Sequence, residues 1–175
     1  MATYEDFVNE LFDKESTDKI ANDSPDNAAA IYCAIFSHAK DTVRIACEKM
    51  DKEVFDRECV SNAIRTALNR GVNLFISMHK SVADQSRSMD VIRELHNMAS
   101  KNPNSGIGQI RFFVGAQFTA NGTPVNFSVM DMNGYRYEMN ADRISASACA
   151  NDQQFAKQLA EVFDTSLGIQ QAETL

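Results

Sequence analysis

Helix-period and strand-period segments alternate along the first two-thirds of this chain, and few folds accommodate that alternation. Asn22-Asp23-Ser24-Pro25-Asp26 is a strong helix start, with Ser24 as N-cap and Pro25 at the first helical position, where its missing N–H is no loss. The helix it opens, 25–39, carries Ala29, Ile31, Tyr32, Ile35 and Phe36. Residues 42–47 read as a strand. Residues 59–70 read as a helix around Val60, Ile64, Ala67 and Leu68, ended by Gly71. A second strand spans 72–78, and a helix at 87–100 turns Met89, Ile92, Leu95, His96 and Ala99 inward. Strands that alternate with helices in this way predict βαβ units and a parallel sheet.

After the loop 102–106 the pattern changes. Residues 109–114 read as a strand, 115–124 as a Gly/Asn/Thr/Pro-rich connection and 125–131 as another strand. Met132-Asn133-Gly134 supplies a hairpin turn, because Asn-Gly accepts positive φ at little cost. Residues 135–139 return, 143–149 form one more strand and 152–167 a final helix. At the other end, 4–14 is an amphipathic helix with Tyr4, Phe7, Val8, Leu11 and Phe12 on one stripe, joined through a loose connection at 15–23. The expected fold is α/β, with a mixed, largely parallel sheet flanked by helices on both faces. One domain is expected over 1–175: an N-terminal helix and linker at 1–23, a core at 25–167 and a loose tail at 168–175.

At 175 residues and 44% apolar content the chain can bury a sizeable core. No apolar run spans a bilayer, so no membrane association is expected. The acidic start MATYEDFVNELFDKE is not a secretory signal. Cys33, Cys47, Cys59 and Cys149 are scattered singly, which argues for reduced thiols, a cytoplasmic location and no zinc site. The net charge of −7 lies entirely within residues 1–60. The rest is neutral, and its bases include Arg65, Arg70, Arg87, Arg93, Arg111, Arg136 and Arg143. Overall acidity disfavours non-specific duplex binding but permits a local groove for a single strand.

Three histidines are present. His38 sits near a helix C-terminus, His96 on an inward helix face and His79 at a strand end beside Lys80, with Asp84 nearby. No phosphate-binding loop, dinucleotide fingerprint, nucleophile elbow or metal-spaced histidine pair occurs, and no cofactor is expected.

The C-terminal stretch is the most informative. Pro124-Val125-Asn126-Phe127-Ser128-Val129-Met130-Asp131 resembles the His-x-Lys-x-x-x-x-Asp motif of the phospholipase D superfamily. Ala146–Asp152 resembles the Gly-Ser-x-x-Phe-Asn stretch that follows it, 154–167 the closing helix, and Ala63–Val72 the family's Ala-Leu-x-Arg-Gly-Val step. The likeness covers residues 25–167. It implies an α/β phosphodiesterase scaffold whose active sites often form across a two-fold axis, hence a homodimer or higher assembly. In that family the histidine is the nucleophile and the lysine holds phosphate oxygens. Here Pro124 and Asn126 stand at those positions, while Asp131, Ser147 and Asn151 match the remaining polar residues. Without a nucleophile the covalent route is closed. The resemblance therefore implies a protein that is not an enzyme.

The leading expectation is a non-catalytic protein that binds single-stranded DNA or RNA in regulation or replication. Its contacts would be Arg111, Asn126, Arg136, Arg143 and Ser147, with Tyr135 or Tyr137 stacking on bases. Plainer readings stand beside it. Asp131 also suits a turn, Ser147 a strand end and Asn151-Asp152 a helix cap, and Tyr135-Arg136-Tyr137 also suits a half-buried strand. Two other functions are open. One is a protein-interaction module docking through residues 4–14, although that helix also suits covering its own sheet. The other is residual phosphodiesterase activity through His79.

Overall fold

The computed structural model describes residues 2–79, 87–101, 104–115, 117–139, 145–167 and 171–172. Helix α1 (Tyr4–Asp13) starts on a reciprocal cap. The Thr3 hydroxyl accepts from Asp6 N–H at 3.1 Å, and the Asp6 carboxylate accepts from Thr3 N–H at 2.8 Å. Helix α2 (Pro25–His38) begins as its sequence dictates, with the Ser24 hydroxyl accepting from Asn27 N–H at 3.2 Å. Its far end is closed by a distant residue. Arg70 Nη2 donates to the carbonyls of Phe36, Ser37 and Ala39 at 2.7, 3.1 and 3.2 Å, satisfying groups a helix C-terminus leaves bare.

Strand β1 (Lys19–Asn22) occupies the stretch expected to be a loose connection. Then follow β2 (Thr42–Cys47), the short α3 (Lys52–Phe55), α4 (Glu58–Asn69), β3 (Asn73–Met78), α5 (Arg87–Lys101) and β4 (Ile110–Val114). The punctuated segment after β4 holds a two-residue hairpin, β5 (Thr119–Ala120) and β6 (Thr123–Pro124). Strands β7 (Asn126–Met130), β8 (Gly134–Glu138) and β9 (Ala146–Cys149) and helix α6 (Gln153–Leu167) complete the core. Residues 171–172 form β10 (Gln171–Ala172) against β4, in a stretch expected to be loose.

The main sheet has eight strands in the order β1-β9-β8-β7-β2-β3-β4-β10. Parallel pairing is confined to β2, β3 and β4. The sheet is mixed as expected, but five of the seven pairings among its described strands are antiparallel, two of them through the unforeseen β1 and β10, so it is not largely parallel. Helices α1 to α5 pack on one face, where Ile20, Ala148, Ile45, Ile76 and Phe112 meet Ile31, Ile35, Ile64 and Leu68. Helix α6 packs on the other, where Phe127, Val129 and Tyr135 meet Ala156, Leu159 and Phe163. Arg44 fastens α6 to the sheet, its Nε and Nη2 donating to the Asp164 carboxylate at 2.8 and 2.9 Å.

Helix α1 lies on α2, burying Val8 and Phe12, and the Tyr4 hydroxyl donates to Ala21 O at 3.0 Å. It therefore covers its own fold. Gly71, at φ +90°, ends α4 in the left-handed region as expected. Gly108 is demanded by proximity, because a Cβ there would stand 1.8 Å from Val72 O. None of the described helices is long and apolar enough to cross a membrane.

Candidate nucleic-acid interface and its buried polar network

Strand β7 runs antiparallel to β2, so its first residue, Asn126, lies beside the C-terminal end of β2. The Asn126 Oδ1 accepts from Glu48 N–H at 3.0 Å, and Nδ2 donates to Glu138 Oε2 at 2.8 Å. Glu138 stands opposite Asn126 in the β7–β8 register. Its other oxygen accepts from Arg136 Nη2 at 2.6 Å, and the same Nη2 donates to Asn22 Oδ1 at 3.2 Å. Arg136 is 3% exposed, and its guanidinium lies 5.3 Å from the centre of the Tyr32 ring. Burial pulls the Arg136 proton affinity down, but Tyr32 and Glu138 outweigh it and leave the group above its ordinary value. Burial pushes the Tyr32 phenol up to about 12. Cys47, at the same end of β2, is also pushed up, by burial first and then by Glu138 and Glu48. The network thus balances one guanidinium against one carboxylate, with the Asn126 amide clamped at its rim.

Residues alternate across a strand, so Tyr135, Tyr137 and Ser147 point to the α6 face. Tyr135 is 2% exposed and meets the Phe155 ring edge-on at 4.8 Å; half-buried Tyr137 meets the same ring at 5.5 Å. Burial raises both phenols, and Ser147 works against it at Tyr135. Neither ring lies open to a base. The expected contact set is thereby divided: Asn126 and Arg136 lie beneath the α1–α5 layer, and the two tyrosines and Ser147 beneath α6. Arg143 lies outside the described residues.

Arg111 is exposed. Arg44, Phe75 and Arg111 are register partners across β2, β3 and β4, and the Arg111 guanidinium sits 5.8 Å from the centre of the Phe75 ring. Arg44 is spent on Asp164, whereas Arg111 has no carboxylate partner among the described residues. Phe75 is half-buried, so this corner of the sheet presents a cation over an aromatic surface.

Asp131 has a structural task. It sits at φ +53° in the β7–β8 turn, and its carboxylate accepts from the backbone N–H groups of Lys40, Asp41 and Thr42 at 3.0, 2.9 and 2.8 Å. It pins the hairpin to the start of β2 at the opposite end of β7 from Asn126. Asn151 lies with it, lining a shallow cleft with Asn133 and His38. The helix cap beside it is Asp152, whose Oδ1 accepts from Phe155 N–H at 3.1 Å. Positions 124, 126, 131, 147 and 151 therefore do not converge, because spacing alone does not set strand parity or the end of the sheet.

Of the histidines, His38 meets Asp13 at 2.9 Å and His96 meets Ile110 O at 3.1 Å, both in structural contacts. His79 follows β3, its backbone N–H donating to Cys47 O at 3.2 Å, which puts it at the same end of the sheet as Glu48 and Asn126. Lys80 and Asp84 lie outside the described residues. No group of three or more His, Cys, Asp or Glu side chains among the described residues is placed to hold a metal. The network around Asn126 was invisible in the sequence: its own partners Glu138 and Glu48 are 12 and 78 residues away, and Asn22, which meets Arg136, belongs to the unforeseen β1. The one signal was Glu138 itself, two residues from Arg136 on a short strand.

No protein-family model and no curated protein matches the sequence. Solved structures do match. The archaeal chromatin protein TrmBL2, described as showing a novel mode of DNA binding, superposes with a TM-score of 0.61 at 12% identity over 89% of this chain. The chain spans about half of TrmBL2, 53% of its length. Nuc from Salmonella typhimurium, a phospholipase D family member, gives 0.61 at 15% identity, covering 90% of this chain and 99% of that one. NucT from Helicobacter pylori gives 0.57 at 9% identity, covering 89% and 99%. At these identities the likeness is one of architecture, and the mixed sheet with helices on both faces is a phospholipase D-like fold.

Proposed function

We propose that this chain is a non-catalytic nucleic-acid-binding protein on a phospholipase D-like scaffold, selective for single strands and acting as a homodimer in the cytoplasm. One observation carries the reading. Where the resemblance calls for a charged phosphate-holding lysine, Asn126 stands clamped between Glu48 N–H and the Glu138 carboxylate, two residues after Pro124. Proline offers no nucleophile, and the clamped amide sits against a carboxylate that repels phosphate. Binding passes instead to the exposed Arg111 guanidinium beside half-buried Phe75, which suits a backbone phosphate. The DNA-binding mode described for TrmBL2 supports the same use of the scaffold.

The test incubates a labelled single-stranded oligonucleotide with the full chain, reads anisotropy, and then resolves the oligonucleotide on a denaturing gel. A bound and intact strand is expected. Cleavage that disappears in His79→Ala would establish the hydrolytic reading instead. Absence of binding at low salt would favour a protein partner, for which 47%-exposed Phe7 on acidic α1 is the accessible anchor.

A further inference from the structure

We propose that the Nε2 of His79 accepts a hydrogen bond from a ribose 2′-hydroxyl, so that this chain takes single-stranded RNA in preference to DNA. The inference rests on the nucleic-acid binding proposed above and names the sugar. His79 is exposed, one residue beyond β3, and two backbone bonds carry the ladders past the strand ends to reach it. Its N–H donates to Cys47 O at 3.2 Å, and Gly115 N–H donates to Met78 O at 3.0 Å. The parallel order thus continues to His79 on one strand and Gly115 on the next. Side chains alternate along a strand, so His79 emerges on the same face of the sheet as Phe75 and Arg111. From Phe75 to His79 the extended strand runs about 13 Å. Ser77 and Phe113, between them, are buried, so Arg111 and His79 are two separate points of contact rather than one groove. His79 lies at the C-terminal ends of β2 and β3, where open α/β sheets hold ligands.

The imidazole is held in one orientation. Its Nδ1 lies 3.2 Å from Gly115 O, and a carbonyl oxygen only accepts, so Nδ1 carries the hydrogen of that bond. The Nε2 of the neutral ring is thereby left as an acceptor, and it has no hydrogen-bond partner among the described residues. The other two histidines differ, for each meets a partner at both ring nitrogens: His38 at Ala34 O and Asp13, His96 at Ile110 O and Ser100. An acceptor gains nothing from phosphate oxygens, which are acceptors too. It needs a donor, and a single strand of RNA offers two kinds, base N–H groups and the 2′-hydroxyl. Base donors stand at a different place on each base, and to use one a site must hold that base still. The rings expected to do so, Tyr135 and Tyr137, pack on Phe155 instead. The 2′-hydroxyl occupies the same place on every nucleotide of RNA and is missing from DNA. Arg111 meets the phosphate of either strand, and His79 tells the two apart.

The experiment measures anisotropy with the full chain and three labelled single strands of one mixed sequence: RNA, DNA, and RNA whose 2′-hydroxyls are replaced by fluorine. It is run at pH 8, where imidazoles are ordinarily neutral. RNA should bind about fivefold more tightly than DNA, the worth of one neutral hydrogen bond. The 2′-fluoro strand, which keeps an RNA-like sugar but has no donor, should bind like DNA. His79→Ala, an exposed change, should bring the ratio of RNA to DNA affinity close to one. Arg111→Ala should weaken RNA and DNA by the same factor, which separates the phosphate contact from the hydroxyl contact. Equal affinity for RNA and DNA, or a preference for RNA that survives in the 2′-fluoro strand or in His79→Ala, would overturn the inference and leave the proposed function standing. No binding of any of the three strands would remove the proposed function and this inference with it.

Discussion

Replacing Arg136 by methionine keeps the length of an apolar stem and removes the charge. Arg136 is 3% exposed and Glu138 8% exposed, so the carboxylate left behind cannot recruit bulk water in place of the guanidinium. Its remaining partner is the Asn126 amide at 2.8 Å, a neutral donor. Breaking one side of a buried pair costs about 3–5 kcal/mol, because an uncompensated charge stays inside. For a domain of this size that corresponds to a fall in Tm of roughly 6–20 °C. Urea unfolding followed by circular dichroism measures it. A cycle with Glu138→Leu separates the pair from its packing. If the two charges form one unit, Arg136→Met with Glu138→Leu will be more stable than Arg136→Met alone. A loss below about 1 kcal/mol for Arg136→Met, or a double variant showing the plain sum of two large losses, would refute the reasoning. The same variants bear on function. A buried Arg136 acts on folding, so oligonucleotide affinity, corrected for the folded fraction, should be unchanged.

Asp131→Ala strips the acceptor from three backbone N–H groups and should cost about 2–4 kcal/mol in chemical denaturation. Asp131→Asn should recover part of that, since asparagine also tolerates left-handed backbone. Gly108→Ala drives a Cβ to 1.8 Å from Val72 O, so its loss in Tm should reflect the upper end of the ~1–3 kcal/mol typical of overpacking. The hydrogen bonds from Thr3, backbone first and then hydroxyl, hold the Asp6 carboxyl below its ordinary 3.8. A depressed carboxylate stabilises above its unfolded value and loses that contribution as pH falls through the folded one. The Tm difference between wild type and Asp6→Ala should therefore shrink as the pH is lowered below about 4, and a difference that widened would contradict the cap.

The elements read most faithfully from the sequence are those with a local physical signature. Ser24 and Pro25 start α2 where expected and Gly71 ends α4; the hairpin between β7 and β8 turns where expected too, but its positive φ falls on Asp131 and Gly134 already belongs to β8. Alternation in Tyr135-Arg136-Tyr137 correctly separates rings from guanidinium. It does not say which face is covered by α6, and the rings proved to be the covered ones. Strand β1 escaped notice because Lys19-Ile20-Ala21-Asn22 is four residues with a single large apolar side chain, and its stability comes from pairing with β9, far along the chain. The candidate site was less legible for the same reason. The Asn22–Arg136–Glu138–Asn126 chain joins three strands, and only their register brings it together. Arg70 shows the converse: an arginine suited in isolation to an anion is here the cap of α2.

The central claim is tested most directly by a salt titration of oligonucleotide affinity for the wild type and Arg111→Ala. Fluorescence anisotropy gives Kd across a range of salt concentrations. The account predicts single-strand binding that weakens linearly in log Kd against log salt, with Arg111→Ala weakening it further and lowering the slope by about one phosphate contact. Affinity indifferent to salt, or an Arg111→Ala slope equal to that of the wild type, would contradict it.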